Sequence, residues 1–132
     1  TEILKKYKFP KIEGEKFIPE TYLYNQLDAE GELATIKDGV YVCEYLNDGY
    51  TNNSVKLINN NPKGYILAAE QELTIAKKIE ERLKASAKIV LGNWLAKNKG
   101  FIKRYDNKFL IILSMPLAYV IYLKKYKSSR KR

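Results

Sequence analysis

Apolar residues recur at Ala69, Leu73, Ala76, Ile79, Leu83, Ala87, Val90 and Trp94. Spacings of three and four over about seven turns predict one amphipathic helix. It is expected to cover about 65–98, with Lys97 and Lys99 in its last turn and Gly100 as its stop. At about 1.5 Å per residue such a helix reaches roughly 50 Å, more than a domain of this size is wide. It is therefore expected to bend, near Gly92, or to project and pack on a partner.

Ahead of this helix, from Gly31, the pattern changes to strands. Residues 32–36 and 40–46 flank Lys37-Asp38-Gly39 and read as a hairpin. The second of these segments is β-branched and aromatic, and its Cys43 reads as a small buried hydrophobe. Residues 54–58 read as a third strand, and Asn59-Asn60-Asn61-Pro62-Lys63-Gly64 as the clearest break in the chain. Nearer the N-terminus, residues 2–8 read as a helical turn and 18–27 as a short helix opened by Pro19.

Beyond Gly100, residues 101–105 and 108–113 read as a second hairpin around Asp106-Asn107. The unbroken apolar run Phe109-Leu110-Ile111-Ile112-Leu113 has the character of a strand covered on both faces. Ser114 is expected to cap a final helix with Pro116 in its first turn. Tyr119, Tyr122 and Tyr126 would share one stripe of that helix, serving as packing or, if exposed, as a protein interface.

The expected fold class is thus α+β. A small antiparallel or mixed sheet, with strands near 32–36, 40–46, 54–58, 101–105 and 108–113, is packed by one long helix (about 65–98) and a C-terminal helix (about 115–127). Residues 1–127 read as a single domain and 128–132 as a basic tail.

Charge changes this picture most. Residues 1–66 hold 8 Lys/Arg against 10 Asp/Glu, whereas residues 67–132 hold 16 against 5. A charge polarised along the chain can become a polarised surface that attracts polyanions. Lys, Ile, Tyr and Asn are all abundant and all have AT-rich codons, which accounts for part of the basic excess but not for its asymmetry. The strongest cluster is Lys124, Lys125, Lys127, Arg130, Lys131 and Arg132, where each phosphate contact would release counterions. The competing reading is a solvated tail. Lys103, Arg104 and Lys108 surround the predicted hairpin turn between Phe101 and Tyr105, a mixture of cations and aromatics suited to holding a strand of nucleic acid. Here the competing reading is core aromatics beside edge-strand cations.

Composition removes several chemistries. The chain contains no His, which removes the commonest general base and metal ligand. Its single Cys excludes an internal disulfide and a multi-Cys zinc site and favours a reducing, cytoplasmic setting. No nucleophile motif, phosphate loop or cofactor signature is present, so a non-enzymatic protein without a cofactor is expected. The uncharged run 109–123 is shorter than the about 20 residues that span a bilayer and contains Ser114 and Pro116, so a strand followed by a helix is expected there instead of a membrane segment. The partner expected first is nucleic acid, DNA or RNA, bound mainly through phosphates. The alternative is an interaction or structural subunit, such as a ribonucleoprotein or virion component or a viral factor docking on a host protein. It would use the long helix and the Tyr-rich C-terminal helix for a protein partner or self-association.

Overall fold

The computed structural model describes residues 2–28 and 53–127, with positions 30, 31, 37, 39, 44 and 49 between them. The strands expected over 32–36 and 40–46, Cys43 included, lie outside the described residues except for Glu44. Among the described residues there are six α-helices: α1 (Glu2–Lys6), α2 (Thr21–Leu27), α3 (Ser54–Asn60), α4 (Pro62–Ile75), α5 (Ile79–Leu95) and α6 (Lys108–Ile121). A 3-10 turn (Phe101–Arg104) precedes α6 and a π-turn (Tyr122–Lys127) continues it.

No strand occurs among the described residues, and this overturns the expected α+β sheet. Each predicted strand in the described part is helical for a local reason. Residues 54–58 lie in α3, which opens as the Leu57 N–H donates to the Asn53 carbonyl. Residues 101–104 wind into the 3-10 turn behind Gly100, whose φ of 76° suits glycine. Residues 108–113 open α6, because Asn107 caps a helix where a hairpin turn was expected. Its side chain accepts a hydrogen bond from the Leu110 N–H at 3.0 Å.

The long helix is two helices. Ala76 is extended (φ −63°, ψ 120°), as is Lys78 (φ −88°, ψ 147°). The Glu81 carboxylate reaches back to accept from the Lys77 and Lys78 N–H groups, each at 3.1 Å, which satisfies donors freed where α5 begins. These bonds hold the Glu81 carboxyl below its ordinary range. The bend expected near Gly92 is not there: the chain breaks at Ala76–Lys78 instead, and the break is a full reversal.

Gly92 serves a different purpose from a bend. A Cβ there would lie 2.5 Å from Ile66 Cγ1, so the missing side chain lets α5 approach α4. The Lys88 Nζ–Glu72 carboxylate pair, at 2.6 and 2.9 Å, joins the same two helices. The pairs Ile66/Gly92 and Glu72/Lys88 share one register, that of an antiparallel hairpin closing at Ala76–Lys78.

α5 is the central element and packs on both α4 and α6. Ala85, Ser86, Ala87, Ile89, Val90, Leu91, Gly92 and Asn93 are all buried, so its second half is covered nearly all round. The buried Asn93 donates to the Ile89 carbonyl and accepts from Asn98 Nδ2. The Ser86 hydroxyl is buried with no hydrogen-bond partner among the described residues. A segment before α2 locks onto the start of α4: the Glu15 carboxylate accepts from the Lys63 and Gly64 N–H groups, at 2.8 and 2.7 Å, at the positive end of the helix dipole. A Cβ on Gly64 would overlap the Phe17 carbonyl oxygen.

Tyr105 ties the 3-10 turn to α4 by donating to Glu70 Oε1 at 2.6 Å. Burial, then the bond to Glu70, pushes its hydroxyl up to about 12, while an unfolded tyrosine ionises near 10. The folded state thus favours the neutral phenol. This stabilisation is complete below pH 10 and is lost as pH rises through about 12. Burial also raises Tyr65. The melting temperature is expected to fall between pH 10 and 12, and to fall less steeply in Tyr105→Phe. Thermal melts of both proteins across that range check this, and equal slopes would refute it.

Candidate functional site

The surface of interest is the outward side of α6. Its buried line, Leu110, Ile111, Ser114 and Ala118, follows helical spacing, and α6 packs on α5. Ser114 satisfies its hydroxyl by donating to the Ile111 carbonyl at 2.8 Å. The opposite side is apolar too. Phe109 is 75% exposed, Ile112 and Leu113 52% each, Tyr119 54%, Val120 45% and Leu117 39%. Phe109, Ile112/Leu113, Pro116 and Val120 recur every three or four residues and form one stripe. Pro116 lies inside the helix and not in its first turn, and it leaves the Ile112 carbonyl without its usual donor on this exposed side. A groove of about 630 Å³ widens the apolar surface toward the α4–α5 corner, where Leu117 and Ile121 face Ile75 and Ala76.

The π-turn decides what stands at the far end of this face. On a regular α-helix Lys125 would continue the buried line two turns after Ala118. The wider turn sets Tyr126 inward, 7% exposed and stacked on Tyr122 at 6.4 Å, and leaves Lys124, Lys125 and Lys127 exposed. The tyrosine stripe is thereby divided: Tyr119 faces out, Tyr122 is half-buried and Tyr126 is core.

The cations nominated from sequence fall into two groups. Lys103, Arg104 and Lys108 are exposed at the N-terminal end of α6, and Lys124, Lys125 and Lys127 at its C-terminal end. The ends are about 24 Å apart along the axis. Among the described residues none of the six is in an ion pair. Arg130, Lys131 and Arg132 lie outside the described residues. The α5 cations behave otherwise: Lys84 pairs with Glu80, and Lys88 with Glu72.

The sequence locates the cations but not the exposed apolar face: Phe109, Ile112 and Leu113 fall in the expected doubly covered strand, and Leu117 and Val120 on the expected C-terminal helix packed on the sheet. The available signal was the uncharged run itself, because a helix apolar all round needs cover all round. Lys108–Lys127 is 20 residues long and apolar enough to cross a membrane by length and composition, with a mean hydropathy of 1.4 in its most apolar window. Among the described residues no group of three or more His, Cys, Asp or Glu is placed to hold a metal ion. No family model, curated protein or solved structure matches the chain.

Proposed function

We propose that this chain is a non-enzymatic docking protein whose working surface is the outward face of α6. The observation that carries this reading is the stripe Phe109, Ile112, Leu113, Leu117 and Val120, which no described residue covers although the other side of the same helix is tightly packed. Contiguous exposed apolar surface of this kind marks an interaction site on a soluble domain. Folding does not require these side chains to be apolar, so their replacement by serine should spare stability. In the variant Phe109→Ser/Ile112→Ser/Val120→Ser the melting temperature is expected to hold, while fluorescence of an added hydrophobic dye drops several-fold. A collapse of the melting temperature would assign the stripe to the core and refute the reading.

A second reading, nucleic-acid binding through phosphates, is favoured by the six exposed cations, none of which is in an ion pair among the described residues. Against it, the apolar stripe separates the two groups along the outward face of α6. Titration with labelled double-stranded DNA and single-stranded RNA between about 50 and 300 mM salt tests it. Tight binding with a steep salt dependence supports it, and no binding at the lowest salt removes it.

A further inference from the structure

We infer that the outward face of α6 docks on the surface of an anionic lipid bilayer, with the helix lying in the plane of the interface. This rests on the docking reading above and names the partner.

The first argument is the arrangement of charge around the apolar face. Between Phe101 and Lys127 there are six cations and one carboxylate, Asp106, and the cations precede and follow the stripe along the chain; Arg104 lines a groove with Glu70, and Lys125 the groove with Glu72 and Glu81. A flat anionic surface meets both ends at once, while Phe109, Ile112, Leu113 and Val120 enter the boundary between headgroups and acyl chains. Lysines suit this place, since a long apolar stem lets the ammonium stay at headgroup level. Tyr119, exposed near the C-terminal end, is the side-chain type enriched at that level. The Ile112 carbonyl, deprived of its donor by Pro116, faces a hydrated zone and not dry hydrocarbon.

The same charges argue against a second copy of the chain on this face. Antiparallel pairing of two α6 helices sets the Lys103/Arg104/Lys108 end against Lys124/Lys125/Lys127, and parallel pairing sets each end against itself. Either direction brings cation against cation.

The fold argues against spanning. A lone span would strip α6 from α5 and uncover Ala87, Ile89 and Val90. A span with α5 still attached would carry Lys84, Lys88, Glu72 and Glu81 into the hydrocarbon, because these groups line the groove beside Leu117 and Ile121.

The test is co-sedimentation with vesicles of phosphatidylcholine, with and without about 30 mol% phosphatidylserine. Wild type is expected to bind the mixed vesicles at least about tenfold more than neutral ones, and to be released as salt rises from about 0.1 to 0.5 M. Phe109→Ser/Ile112→Ser/Val120→Ser and, separately, Lys108→Gln/Lys124→Gln/Lys125→Gln are each expected to lose at least about tenfold of that binding with the melting temperature kept. Loss of vesicle binding in the lysine variant alone would reduce the attraction to charge and overturn apolar insertion. Resistance to a high-salt and alkaline-carbonate wash would overturn the in-plane geometry in favour of a span. No binding to mixed vesicles, together with dye binding that still depends on the stripe, would overturn the bilayer and leave the docking surface standing. Failure of both would remove both.

Discussion

Ile111→Asp is expected to unfold this protein, whereas Phe109→Asp, two residues away on the same apolar run, is expected to leave its melting temperature nearly unchanged. Ile111 is 1% exposed in the core with Ile89 and Ala118, and Phe109 is 75% exposed. An unpaired carboxylate in the core costs about 3–5 kcal/mol, a large share of the stability of a small domain. On the outer face the same carboxylate stays in water and costs within about 0.5 kcal/mol. The pair also discriminates between folds. In a strand Phe109 and Ile111 would share a face and respond alike; only a helix separates them. Circular-dichroism melts of the two variants suffice, and matching losses would restore the strand.

Gly92→Leu is expected to cost about 2–3 kcal/mol, on the order of 10 °C in melting temperature. The cause is specific, because a Cβ at Gly92 falls 2.5 Å from Ile66 Cγ1, so Ile66 or the helix that carries it must shift to admit it. Glycine is otherwise a poor residue for a helix interior, about 1 kcal/mol worse than alanine. The sign of a smaller change therefore depends on its neighbour. Gly92→Ala should destabilise the wild type, yet in an Ile66→Ala background, where the obstructing atom is gone, it should stabilise. A double-mutant cycle by denaturant unfolding reads the reversal, and additivity would show that Gly92 is not a contact point.

The sequence carried the core of α5 plainly. Leu83, Ala87, Val90 and Trp94 mark the helix, but α5 ends at Leu95, so Lys97 and Lys99 fall beyond its last turn and Gly100 opens the 3-10 turn instead of stopping the helix. The division at Ala76–Lys78 was hidden because no Gly or Pro marks it. Glu81 does the capping from inside the next helix, through a backbone contact with no composition signature. Phe109–Leu113 was misassigned because a short apolar run with two isoleucines fits strand and helix equally. Asp106-Asn107 made the error persuasive, since asparagine serves a tight turn and a helix cap by the same side-chain acceptor. The cations of the candidate site could be found in sequence because charge seldom hides in a core. The apolar stripe between them could not, because which side of an all-apolar helix meets α5 depends on tertiary packing alone.

The α4–α5 hairpin also sets an order of events. Its Glu72–Lys88 pair joins residues 16 apart in sequence, whereas the contacts from residues 15 and 25 to α4 bridge 46 to 49. Short loops close at lower entropic cost, and chains rich in local contacts fold fast. The hairpin around Ala76–Lys78 is thus expected to nucleate folding, with α6 settling on it from one side and the N-terminal segment that clasps Gly64 arriving late. That segment is also expected to open first. The α4 terminus can open repeatedly while the helix that carries the docking face stays in place.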